Sequence, residues 1–101
     1  MGVLAMLDLQ GETTDLMAAS EELDRRLPQP DGLLARIVAP TADGMVLFQL
    51  WESADARQRN ADDPAHAEAL VASGMRAALR GNRSRVFDQA VLRRLAGAEA
   101  L

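Results

Sequence analysis

The chain has no cysteine, no tyrosine and no lysine, and only one tryptophan, one histidine and two phenylalanines in 101 residues. Without cysteine there are no disulfides, thiolate nucleophiles, zinc–thiolate sites or iron–sulfur clusters, and the compartment leaves no trace in cysteine usage. There is no hydrophobic run long enough to span a bilayer. The apolar stretch Val3–Leu7 meets Asp8 with no basic residue before it, so it is expected to be neither a signal peptide nor an anchor. The Gly2 context has Met6 where a myristoylation signal needs Ser or Thr. The net charge of −4 argues against general nucleic-acid binding, and a cytoplasmic protein without membrane attachment is expected.

The length suits one domain with one core, and an apolar fraction of 49% is enough to build it without metal or disulfide staples. A single domain over residues 1–101 is expected, with the small-residue stretch 96–101 as a mobile tail. The charge is uneven. Six arginines (Arg76, Arg80, Arg83, Arg85, Arg93 and Arg94) face Asp88 alone between residues 76 and 94. Most of that run is expected on solvated helix and strand-end surface.

The chain is organised around Met45–Ser53, MVLFQLWES. Val46, Phe48 and Leu50 fall on one side of a strand; Met45, Leu47, Gln49 and Trp51 fall on the other. Both sides are mostly apolar, so a central strand covered on both faces is expected. Upstream, Val3–Leu9 alternates as a strand, with Asp8 on the face of Leu4 and Met6. Thr13 or Thr14 is the expected N-cap of a helix in which Leu16, Ser20, Leu23 and Leu27 recur at helical spacing, and Pro28 ends it. Glu21, Glu22, Asp24 and Arg25 are its expected solvent face. Leu33–Ala39 is a second strand, and the Asp43-Gly44 step before Met45 signals a hairpin. Ser53 caps a short helix. Asp63-Pro64 restarts it, since Asp at the cap and Pro at the first helical position is a strong start signal. Helical spacing continues to Leu79, with Gly74 as a break and Gly81-Asn82 as the end. Arg85–Leu92 is the last strand.

The order β-α-β-β-α-β predicts an α+β, ferredoxin-like βαββαβ fold with an antiparallel four-stranded sheet. Helices cover one sheet face. The other, taken as the face of Met6, Leu34, Val38, Met45, Leu47 and Trp51, is too apolar for water and calls for a second subunit. A homodimer with facing sheets and a cavity in each half is expected.

Phe48-Gln49-Leu50-Trp51-Glu52-Ser53, with Ala56 and the Asp63-Pro64-Ala65-His66 restart, resembles the dimeric α/β-barrel superfamily that includes the antibiotic-biosynthesis monooxygenases. The resemblance spans roughly residues 3–93. It implies a homodimer and a small aromatic, hydrophobic or polyketide-like ligand in the dimer cavity. It also implies an oxidoreductase or cyclase that works without a cofactor. Trp51 matches the family tryptophan that borders the cavity, and Asn60 stands about where many members carry a histidine. The haem-degrading members have an asparagine on the first strand, where this chain has Asp8.

The polar candidates follow from that frame. Asp8, Arg36 and Gln49 come from three strands and are assigned to one cavity-facing side, with Met45 and Leu47 as apolar walls. Asp8 or His66 is the candidate base, and Arg36 with Gln49 the candidate holder of an oxyanion. The alternative for Asp8 and Arg36 is an ion pair at the dimer rim; for Trp51, plain core; for His66, a solvated helix start. Asp62, Asp63, His66 and Glu68 project around a helix start rather than onto one face, so no metal site is expected. The competing function is a non-catalytic binding or assembly module of the same dimer. An open cavity with converging polar groups favours the enzyme; a cavity filled by Met6, Met45, Leu47 and Phe87 favours the module.

Overall fold

The computed structural model describes residues 2–95; the expected tail, 96–101, lies outside them. The elements are β1 (Gly2–Gly11), α1 (Thr13–Arg26), β2 (Leu33–Thr41), β3 (Gly44–Trp51), α2 (Ala54–Asp62), α3 (Pro64–Ala72), α4 (Met75–Ala78) and β4 (Leu79–Ala90). The strands form one antiparallel sheet in the order β2-β3-β1-β4, the expected ferredoxin-like arrangement. Among the described residues no helix is long and apolar enough to cross a membrane.

Local chemistry explains most boundaries. The hairpin forms where expected, but Ala42 and Asp43 are its turn residues, and Gly44 pairs with Thr41. No residue of that turn has a positive φ. Gly44 is needed for another reason: a Cβ there would run into the backbone of Leu9 on β1. Ser53 caps α2, its Oγ accepting from the Ala56 amide at 3.1 Å. Asp63 caps α3 through the Ala65 amide at 3.0 Å, with Pro64 in the first turn. At α1 the cap is Glu12, not Thr13 or Thr14. Its carboxylate accepts from the Asp15 amide at 2.7 Å, and that bond holds the Glu12 carboxyl below its ordinary range. Thr13 instead donates to the Thr41 carbonyl at 2.8 Å and ties the helix to the hairpin.

The last strand begins earlier than its sequence pattern suggests. Gly74, at φ +86°, breaks the helical run, α4 lasts four residues, and β4 starts at Leu79. Gly81 and Asn82 therefore lie within β4, paired with Gln10 and Leu9 of β1. Pairing with β1 outweighs the weak strand preference of Gly and Asn.

The assignment of the sheet's two faces also needs correction. Leu9, Leu16, Ala19, Met45 and Met75 pack together, and Val3, Leu33, Trp51 and Ala56 form a second cluster. Met45 and Trp51 are each 1% exposed beneath the helices rather than on the open face. Leu47 and Val38 share that covered side. The open side carries Leu4, Met6, Asp8, Val46, Phe48, Leu50 and Ile37, with Phe87 opposite Leu4. Ile37 is 62% and Phe87 40% exposed. Only Met6 of the six expected open-face residues is squarely there. Period-two alternation tells which residues share a face, but when both faces are apolar it does not tell which one the helices take.

Candidate functional site

A cavity of about 660 Å³ lies between the covered face of the sheet and the helices. All four strands and all four helices contribute to it. β3 contributes Met45, Leu47, Gln49 and Trp51 from alternate positions. The register between β2 and β3 shifts between Leu33 and Ala35, so Leu33 opposite Trp51 and Arg36 opposite Gln49 both reach the covered side. Without that irregularity strict alternation would put one of them on the open face. The apolar stripe of α1 supplies Ser20, Leu23 and Leu27, so residues that read as core in the sequence form the cavity wall.

The walls are graded. One end, near Met45, Leu9, Met75 and Leu79, is mostly aliphatic, with Asn82 opposite Leu9 as its polar residue. The other, beside the β2–β3 pairing of Arg36 with Gln49, is polar. There α2 adds Arg57 and Asn60, three residues apart and so on one helix face, and α3 adds His66 from its first turn.

Trp51 closes the polar end within the cluster of Val3, Leu33 and Ala56. Its Nε1–H donates to Gln49 Oε1 at 3.3 Å. That bond fixes which way the amide points and leaves the Gln49 Nε2–H₂ as the group free to donate. The indole itself offers a ligand almost no open surface, so its contribution at this wall is to orient Gln49.

Arg36 pairs with Asp24 of α1, a residue expected on the solvent face of that helix. It does not pair with Asp8. Asp8 is a further correction: it lies opposite Val46 and Arg83 on the open side of the sheet, away from Arg36 and Gln49. Its parity with Leu4 and Met6, both on the open side, requires this.

His66 is half-buried. Burial pushes its imidazole below the ordinary value near 6.5; the Asp63 carboxylate opposes this and the Arg36 guanidinium reinforces it. The result is a neutral imidazole at pH 7, able to accept a proton. Among the described residues no three His, Cys, Asp or Glu side chains are grouped so as to hold a metal ion.

The cavity thus gathers Arg36, Gln49, Trp51, Asn60, His66, Met45 and Leu47, and leaves out Asp8. The sequence reading missed Arg57 and Asp24. Arg57 carried a usable signal, since it sits one turn before Asn60. Asp24 carried one as well, four residues after Ser20 and three before Leu27, but its charge reads as solvent face.

No protein-family model and no curated protein matches the chain. Solved structures do. A dimeric ferredoxin-like protein of unknown function from Jannaschia sp. CCS1 is 19% identical, covering 87% of this chain and 99% of its own, with a TM-score of 0.67. SnoaB, a cofactor-independent oxygenase from Streptomyces nogalater, is 14% identical over 95% of each chain, with a TM-score of 0.64. A Chloroflexus aurantiacus protein provisionally named an antibiotic biosynthesis monooxygenase is 17% identical, covering 90% of this chain and 97% of its own, with a TM-score of 0.64. The chain has the ferredoxin-like fold of these proteins, and what it shares with them at such identities is the fold.

Proposed function

We propose that the chain is a small homodimeric oxygenase or cyclase, working without a cofactor on a planar aromatic or polyketide-like compound held in the cavity. The observation that carries this reading is an open cavity of about 660 Å³, mostly aliphatic at one end, with Arg36, Gln49, Asn60 and His66 at the other. Met6 and Phe87, which were candidates to fill it, lie on the opposite side of the sheet. The fold of SnoaB, described as a cofactor-independent oxygenase, supports the reading. The open apolar side of the sheet, with Phe48, Ile37 and Phe87, supports the dimer.

In this mechanism neutral His66 takes a proton from a carbon beside the substrate's carbonyl. Gln49, Asn60 and Arg36 hold the enolate oxygen as charge develops on it. The carbanion adds to dioxygen, the peroxide takes the proton back from His66, and loss of water leaves a new carbonyl. One oxygen atom enters the product, the other leaves as water, and the substrate supplies the electrons. In a cyclase the same enolate attacks the substrate's own carbonyl and no oxygen is used.

The test is a panel of planar phenolic ketones, followed by oxygen uptake and product mass. Uptake with a gain of one oxygen atom and loss of two hydrogens supports the oxygenase; loss of water alone supports the cyclase. Binding without either product makes the cavity that of a binding module.

A further inference from the structure

The polar end of the cavity holds more positive than negative charge. Arg36 is neutralised by Asp24. Arg57, half-buried on α2, also lines the cavity, and no carboxylate of the described residues pairs with it. Its neighbours there offer donors. Gln49 keeps its Nε2–H₂ free because Trp51 occupies Oε1, and Asn60 lies one turn from Arg57 on the same helix face. A guanidinium drawn partly out of water is a poor filler and a good receptor for a planar anion.

We propose that the ligand of this cavity is an anion before any chemistry begins: a planar apolar compound bearing a carboxylate or similar acidic group. The acidic group sits on Arg57, leaving Gln49 and Asn60 to the substrate's carbonyl oxygen, and the apolar body lies along Leu47 and Met45 toward Leu9. This rests on the reading of the cavity as a ligand site and adds the charge of the ligand to it. The chain as a whole is acidic, at −4 with a pI near 4.8, so general attraction does not draw an anion in. The preference must arise inside the cavity, which makes one side chain a sharp test.

Two probes share one ring skeleton and differ by one sulfonate: 1-anilinonaphthalene-8-sulfonate and the neutral N-phenyl-1-naphthylamine. Both are titrated into the full native chain, with binding read from probe emission and from quenching of Trp51, the only tryptophan. The sulfonate is expected to bind about tenfold more tightly, as one charge-assisted contact allows. The neutral probe should displace it one for one. Arg57→Gln, checked for fold by circular dichroism, should bring the two dissociation constants together, and Arg57→Lys should keep part of the gap. Equal affinities for the native chain, failure of the probes to compete, or a gap that survives Arg57→Gln overturns the anion proposal while leaving the cavity as a ligand site. If neither probe binds, the ligand-site reading fails and the anion proposal fails with it.

Discussion

On one side of β3, Met45 and Trp51 lie under helices at 1% exposure; on the other, Val46 and Phe48 look out from a face that no element of the described residues covers. The two sides carry similar apolar content, yet one holds a cavity and the other an unpaired surface. The difference comes from what each row brings with it. The covered row includes Gln49, whose Oε1 accepts from Trp51, leaving its Nε2–H₂ turned to an enclosed space. The open row carries only apolar groups on β3, with Asp8 beside them on β1. An enclosed polar group needs a partner, whereas an apolar face needs only a cover.

Changes at one side should therefore act on stability or chemistry, and changes at the other on assembly. Trp51→Ala is expected to have the largest effect, lowering unfolding free energy by about 3–5 kcal/mol in a urea titration, because it empties a buried site. A loss under about 1 kcal/mol would show that the ring is dispensable to the core. His66→Gln should reduce turnover of a verified substrate by about 100-fold or more, the usual range for removing a general base. Asp8→Asn, on the other side, should leave turnover unchanged. A reversal of those two results would return the base to the open face. Phe48→Arg should leave circular dichroism intact but shift the mass seen by light scattering from twice 10.9 kDa to 10.9 kDa. A dimer that survives it does not use this face.

The pH dependence should be smaller. Burial lowers the folded-state pKa of His66 beneath its unfolded value near 6.5. The unfolded chain then binds more protons in that window, so the His66 contribution to stability is present above about pH 6.5 and is lost as pH falls toward the folded value. Thermal melts of the native chain and His66→Gln between pH 5 and 7 should diverge with this sign. The smallest effect belongs to Ser53→Ala, which removes the cap of α2 and should cost about 1 kcal/mol in the same denaturant assay.

Much of this architecture was legible because the relevant signals are local. Pro28, the Asp43-Gly44 step and Asp63-Pro64 each restrict the backbone within a residue or two, and the elements begin or end close to them. The choice of covered face was not legible, since it depends on which apolar row α1 meets, a contact between distant parts of the chain. The same lack of reach misplaced Asp8 and hid Asp24, whose partner Arg36 is brought to it only when β2 is laid beside β3. Gly81 and Asn82 read as a helix end because their strand character is imposed by β1.

Asp63 ends α2 and begins α3 with one extended residue, at φ −70° and ψ 123°, and the proline after it favours that conformation. The junction sets the bearing of His66 relative to Arg57 and Asn60. Inserting one helical residue into the last turn of α2 before it would turn α3 by about 100° about the α2 axis. That would swing the imidazole off the wall while leaving the α2 side chains where they stand. The alignment of acceptor and donors across this cavity thus hangs on a single joint that touches no ligand.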